Sequence, residues 1–224
     1  MTEQLLTEAP PTELRRPMSY AEYLALPSEG PLVEWVNGEV ILHMPPTTLH
    51  QDVVAFLTTL LRLFAGFFSS GRVIPSPVEM RCGPDGPSRE PDILFVDTAN
   101  VERIGEKRIE GPADLVIEVV SDDSVVRDFD DKFIEYQDCG VQEYWIVDPR
   151  PRRQRALFYQ RSVDGFLESL NPETGGVYRS KAMPGFWLKV GWMWELPDAQ
   201  LTFAEIADFS ERTQAELREK KRRV

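Results

Sequence analysis

The sequence predicts a mixed α/β domain, α+β in its details: a central mixed β-sheet flanked by helices, with an N-terminal hairpin and trailing antiparallel strands. Three observations predict it. Two short continuous apolar runs, Ile93 to Val96 and Leu115 to Val120, read as buried strands. The order of elements is hairpin, helix, three strands, helix, strand, then further strands. The length of 224 residues, with 42% hydrophobic and 28% charged, suits one well-buried core and excludes a disordered or fibrous chain.

Each element has a local cause. Residues 1–17 read as a flexible tail, 18–200 as the folded domain and 201–224 as a C-terminal helical tail. Ser19 with Glu22 three residues later is a capping box for a short helix from Ser19 to Leu26. Leu32 to Val36 and Glu39 to Leu42 flank Asn37-Gly38, the strongest short hairpin signal. Pro45-Pro46 breaks the chain, Thr48 and Gln51 form a second capping box, and a long apolar helix runs to Phe68. Ser69-Ser70-Gly71 ends it. Val78, Met80 and Cys82 alternate with Glu79 and Arg81, as in a half-exposed strand, and Gly83 to Ser88 is a turn. After the two buried runs, Ser124 to Cys139 is helical, with Gly140 placed to terminate it. Tyr144 to Val147 is a strand closed by Asp148-Pro149. Leu157 to Tyr159, Phe166 to Leu170 and Phe186 to Val190 form an antiparallel meander, and residues from Thr202 onward are helical.

Composition narrows the function classes. A net charge of −12 excludes a protein whose whole surface coats nucleic acid, though it leaves room for a local basic track. Only Cys82 and Cys139 are present, so there is no disulfide scaffold and no paired metal-ligand spacing, and a reducing cytosol is the natural setting. The first 18 residues lack a secretory apolar core. Val53 to Phe68, 16 residues with Thr58, Thr59 and Arg62, is short for a membrane span and reads as a buried helix. The expectation is a cytoplasmic protein with no membrane partner.

The chemistry concentrates in a few misplaced charges. Glu118 is the only charge in Leu115–Val120, and an ionised carboxylate in an apolar strand needs a cation, a metal or solvent beside it. Asp92 opens the neighbouring run; alone it reads as a turn cap, but paired with Glu118 it reads as half of a carboxylate site. Strands sit about 4.8 Å apart, so two carboxylates at matching heights can share one divalent ion. Oxygen donors suit Mg²⁺ or Mn²⁺. Lys132 falls on the apolar stripe Val125, Phe129, Lys132, Tyr136; it either snorkels to water or brings its ammonium to the carboxylates. Glu34 is another acid in an apolar run, outward-facing on the bland reading. His50, in the first helical turn, is structural or a general base. Tyr136 is a half-buried helix aromatic, or a group that holds Lys132 or touches a phosphate.

Several of these stretches resemble a known family. Glu34 followed by Gly38-Glu39, His50 opening a helix, Arg89-Glu90-Pro91-Asp92-Ile93, Pro112 to Ser121, Lys132 to Tyr136, and Gly140 to Pro149 are similar to the Uma-two family, whose members are assigned as endonucleases of the PD-(D/E)XK, restriction-endonuclease-like superfamily. The resemblance spans about residues 18–197. It implies a restriction-endonuclease-like sheet and a metal-dependent phosphodiesterase site. Carried over position by position, the resemblance implies that Asp92 would be the motif aspartate, Glu118 the second acid and Glu34 the upstream acid of some members. One departure stands out: the superfamily lysine two residues after the glutamate is Val120 here, and Lys132 is the candidate to deliver the amine from the following helix.

The reading that follows is metal-assisted hydrolysis of a nucleic-acid backbone, DNA first. Asp92, Glu118 and the Val119 carbonyl would hold Mg²⁺ or Mn²⁺, and Lys132 would orient the attacking water. Residues 149–161 contain Arg150, Arg152, Arg153, Arg155 and Arg161 and no acid, and residues 212–224 contain six basic and two acidic residues. Both segments can meet phosphates, the first through Arg150, Arg152, Arg153 and Arg155, or can be solvated loop and helix end. A homodimer suits cutting two strands. Two rivals stand beside this: a catalytically silent nuclease-like module for binding or assembly, and a hydrolase of small phosphate esters with a closed pocket.

Overall fold

The computed structural model describes residues 13–26, 33–43, 45–84, 86–121 and 130–222. Its centre is a six-stranded mixed sheet in the order β12-β11-β10-β9-β7-β4. These strands are β4 (Gly71–Pro75), β7 (Ile93–Asp97), β9 (Leu115–Val119), β10 (Glu143–Asp148), β11 (Arg155–Arg161) and β12 (Leu167–Leu170). β9 and β10 run parallel; every other neighbouring pair is antiparallel. The two apolar runs expected as buried strands are β7 and β9, and they lie side by side.

Alternation along these strands sorts residues onto two faces. Odd-numbered side chains such as Ile93, Phe95, Ile117, Val119, Trp145 and Val147 enter one core, built on α2 (Thr48–Phe68). Val53, Leu57, Leu60 and Leu61 of α2 are fully buried, roughly 1.5–3 kcal/mol of favourable transfer each. The apolar helix expected from the sequence is therefore the central core helix. Even-numbered side chains such as Leu94, Val116, Tyr144 and Ile146 enter the second core, with Tyr136 of α3 (Lys132–Cys139). The far side of that core is closed by a second six-stranded sheet.

That second sheet was legible only in part, in its hairpin and in the strand around Met80. Its order is β1-β3-β2-β6-β5-β8: β1 (Glu13–Pro17), β2 (Val33–Val36), β3 (Glu39–His43), β5 (Glu79–Arg81), β6 (Ser88–Arg89) and β8 (Arg108–Glu110). The β2–β3 hairpin is as expected, with Asn37 (φ 50°) and Gly38 (φ 86°) in the left-handed region that its tight turn demands. Residues 13–17, assigned to the tail, pair with β3 instead, because the hairpin's outer strand offers a free edge. Residues 1–12 of that tail lie outside the described residues.

Smaller differences have local causes. α1 (Tyr20–Leu24) carries the expected Ser19–Glu22 capping box. The cap of α2 is Thr47 rather than Thr48: its side chain accepts from the His50 amide, one residue ahead of the expected box. The helix expected from Ser124 is described from Lys132, ends on Gly140 (φ 97°) as anticipated, and its stripe residues Val125 and Phe129 lie outside the described residues. The meander divides. β11 and β12 extend the central sheet, while β14 (Trp187–Lys189) pairs with the unexpected β13 (Val177–Arg179). α4 (Trp192–Glu195) and α5 (Ala199–Ile206) follow, and Phe203 and Ile206 of α5 enter the α2 core. α6 (Glu211–Arg222) is almost wholly exposed.

The two cysteines, too few for a disulfide scaffold, are nonetheless joined: Cys82 just after β5 is bonded to Cys139 at the end of α3. Nothing in a separation of 57 residues announces this pairing; it depends on α3 docking against the second sheet.

Candidate active site

The site is set by the end of the sheet where β7 begins and β9 finishes. Their register pairs Ile93 with Ile117, so the next step brings Asp92 level with Glu118, as the sequence reading expected. Glu118 shares the face of Val116 and Val120 and is 3% exposed. Asp92 lies one residue outside β7. Its Oδ2 accepts a 2.7 Å hydrogen bond from the Val119 amide and stands 3.2 Å from His50 Nε2. An extended residue's N–H and C=O project to the same edge of its strand. The Val119 carbonyl is thus directed along the flank that Asp92 occupies.

α3 closes over Glu118. Lys132, in its first turn, places Nζ 2.8 Å from Glu118 Oε1 and 3.7 Å from Glu34 Oε1. One turn on, the Tyr136 hydroxyl donates to Glu118 Oε1 at 2.6 Å. Burial, then the Glu118 charge, drives the Tyr136 phenol well above its ordinary pKa, which keeps it a donor. The amine that the strand pattern lacks at Val120 therefore arrives from the helix, and Lys132 does not snorkel: it is 4% exposed.

Glu34, from β2 of the second sheet, is 1% exposed rather than outward-facing. Its Oε2 accepts from Arg89 at 2.9 Å and its Oε1 from the Glu90 amide at 3.1 Å. Arg89 also donates to both oxygens of Glu135 on α3, at 2.6 and 2.8 Å. Burial opposes the Arg89 charge, but Glu34 and Glu135 outweigh it and hold its pKa above the ordinary value. Burial, followed by the charges of Glu34 and Glu79, raises the Glu90 carboxyl to about 7. Among the described residues, Arg89 and Lys132 thus stand among three carboxylates, Glu34, Glu118 and Glu135.

The structure thus gathers Asp92, Glu118, Val119, Lys132, Glu34, His50 and Tyr136 at one sheet end. Arg150, Arg152, Arg153 and Arg155 lie on the β10–β11 turn, at the same end, because β10 runs parallel to β9. They are not equivalent. Arg150 grips the buried Asp148 with two bonds of 2.8 Å, and Arg155 stands 3.8 Å from the same carboxylate; Arg152 and Arg153 are exposed. Arg161, counted with this run, is tied to the Val141 carbonyl instead. Sequence reasoning missed Arg89, Glu135 and Asp148. Arg89 sits in a two-residue strand without periodicity, and Glu135 is an ordinary polar position of a helix. Among the described residues no group of three His, Cys, Asp or Glu side chains is placed to hold a metal ion. The donors at the sheet end are two carboxylates and a carbonyl.

Comparison with known proteins agrees with this architecture. The family model Uma2, described as "Putative restriction endonuclease", matches residues 20–191. Among solved structures, the chain is similar to a putative nuclease of DUF820 from Anabaena variabilis, with a TM-score of 0.66 and 19% identity over 80% of this chain and 98% of that one. At that identity the likeness speaks for the fold. No curated protein matches.

Proposed function

The chain belongs to the Uma2 family of putative restriction endonucleases, and from that premise we propose that it is a metal-dependent nuclease hydrolysing the phosphodiester backbone of nucleic acid, DNA in the first place. The observation that carries the reading is the 2.8 Å approach of Lys132 Nζ to Glu118, beside the strand that Asp92 heads. A buried amine on a buried carboxylate, delivered from a different element than the superfamily pattern uses, reproduces the same set of groups.

The donor set suits the proposed ion. Asp92, Glu118 and the Val119 carbonyl offer hard oxygens and no thiolate or imidazole cluster, which favours Mg²⁺ or Mn²⁺. Such an ion supplies a water of lowered pKa and charge neutralisation at the phosphate. The chain's own groups do the rest. The Val119 amide and His50 fix the rotamer of Asp92. Tyr136 and Lys132 orient Glu118, and the Lys132 ammonium is the group available to hold the attacking water or stabilise charge on the phosphoryl oxygens. Glu34, shared between Arg89 and Lys132, acts as a charge partner of the lysine in this reading. Arg152 and Arg153, exposed at the same sheet end, are placed to meet flanking phosphates.

The test incubates the purified protein with plasmid, single-stranded DNA and RNA in Mg²⁺ or Mn²⁺, and follows the melting temperature as metal is added. Cleavage together with a metal-dependent rise, both lost in Asp92→Ala and Glu118→Ala, is the expected result. A folded wild-type protein that cuts none of the three and gains no stability from either ion overturns the proposal in favour of the silent module. Cleavage of small phosphate esters alone points to the other rival.

A further inference from the structure

A lysine carried on the same strand as its glutamate is positioned by the strand itself. A lysine carried on a separate helix is only as well placed as that helix. We infer that Arg89 is the positioning residue that fixes α3 and so holds Lys132 on Glu118. The inference rests on the nuclease reading for its catalytic meaning, though not for its geometry.

Arg89 is buried, 2% exposed, at the meeting point of three elements. Its guanidinium forks onto Glu135 of α3 with Nε at 2.6 Å and NH2 at 2.8 Å, and sends NH1 to Glu34 of β2 at 2.9 Å. Two parallel bonds to one carboxylate fix direction as well as distance. Glu135 is three residues after Lys132, nearly one helical turn, so a grip on Glu135 sets the rotation of α3 that aims Lys132. Glu34 then closes the circuit, since its other oxygen stands 3.7 Å from Lys132 Nζ. A lysine at position 89 would keep the charge but could not span both carboxylates with a rigid fork.

The experiment reads Lys132 directly. Brief acetylation with acetic anhydride at pH 8, quantified by peptide mass spectrometry, compares Lys132 with the exposed Lys107, Lys181 and Lys189. In the wild type Lys132 is protected. Arg89→Lys and Glu135→Gln are expected to raise its labelling by about tenfold or more, the local opening that losing charge-assisted bonds allows, with the surface lysines unchanged. Glu143→Gln, which disturbs the opposite core without touching α3, serves as the control for general destabilisation and should leave Lys132 protected. Unchanged protection in either folded variant, or equal exposure in the control, overturns the assignment; if Arg89→Lys does not fold, Glu135→Gln decides alone. In the cleavage assay, Arg89→Lys should lower kcat with little change in KM, and its loss should not multiply with that of Lys132→Met. A wild type that cuts nothing while the labelling behaves as stated removes the nuclease reading and leaves the positioning role standing.

Discussion

Replacing Lys132 with methionine asks whether the ammonium and a coordinated cation share one carboxylate. Nζ stands 2.8 Å from Glu118 Oε1 and 3.7 Å from Glu34 Oε1, and all three side chains are almost fully buried. Methionine keeps most of the stem and removes the charge. Breaking a buried pair by removing one partner costs about 3–5 kcal/mol. A chain of this length loses roughly 2 °C of melting temperature per kcal/mol, so a fall of about 6–10 °C follows. Metal affinity should move the opposite way. A divalent ion on Glu118 would lie no farther than about 7 Å from Nζ, where the two repel by about 5 kcal/mol at an effective dielectric of 20, before screening by water. Removing the ammonium should therefore tighten Mn²⁺ binding at pH 8 by at least about tenfold, while turnover falls by about 10²–10³. Calorimetric titration with Mn²⁺ and a plasmid cleavage assay read the two quantities. A folded variant that binds the ion no more tightly, or cuts at the wild-type rate, would refute the shared site.

Three further outcomes follow from other parts of the molecule. Glu143 is fully buried, with Trp145 and Tyr178 donating to one oxygen and Ser180, Lys181 and Ala182 to the other; Glu143→Gln turns an amide N–H toward at least two of these donors. That swap should cost about 4 kcal/mol and roughly 8 °C, and a melting temperature within a degree or two of wild type would contradict it. Glu90, raised to about 7 by burial and then by Glu34 and Glu79, keeps its proton in the fold where the unfolded chain has lost it. Its contribution is present below the ordinary glutamate range and is lost as pH rises through about 7, by up to about 3 kcal/mol. Urea midpoints in EDTA from pH 5 to 8 should thus show Glu90→Gln gaining on wild type as pH rises; parallel curves count against the burial argument. Finally, Cys82–Cys139 closes a loop with a separation of 57 residues, about 4 kcal/mol of unfolded-state entropy. Cys82→Ser should lower the denaturant midpoint as much as reductant lowers that of the wild type, and identical midpoints with and without reductant would remove the bond from the account.

What could be read in advance was whatever is written in a few consecutive residues. Asn37-Gly38, the Ser19–Glu22 box, Gly140 and the apolar runs at 93–96 and 115–120 each encode their own element, and each is found in place. Glu118, Lys132 and Glu34 were legible as candidates because a charge in an apolar pattern is locally anomalous. The second sheet was legible only in its hairpin and in β5, which the alternation from Val78 to Cys82 marks; β6 and β8 are three residues or fewer and are held by partners far away in sequence. Arg89 escaped for the same reason: a cation beside Pro-rich turns is unremarkable until Glu34 and Glu135 are brought to it from two other elements. The difference between Arg150, bound to Asp148, and the exposed Arg152 and Arg153 is likewise a matter of tertiary contact, invisible in a run of arginines.

The energetics of the nest bear on whether the fold is an enzyme or a silent scaffold. Glu34, Arg89, Glu118 and Lys132 are all 4% exposed or less, and Glu118 shares its sheet face with Val116 and Val120 of the second core. Taking such ions out of water costs several kcal/mol each, and well-packed apolar residues of the same volume commonly serve stability as well or better. A module that only binds or assembles would gain by that replacement. Buried charges kept at that cost, beside the sheet end where Asp92 and the Val119 carbonyl share a flank, fit the nuclease reading proposed above, in which they serve chemistry rather than the fold.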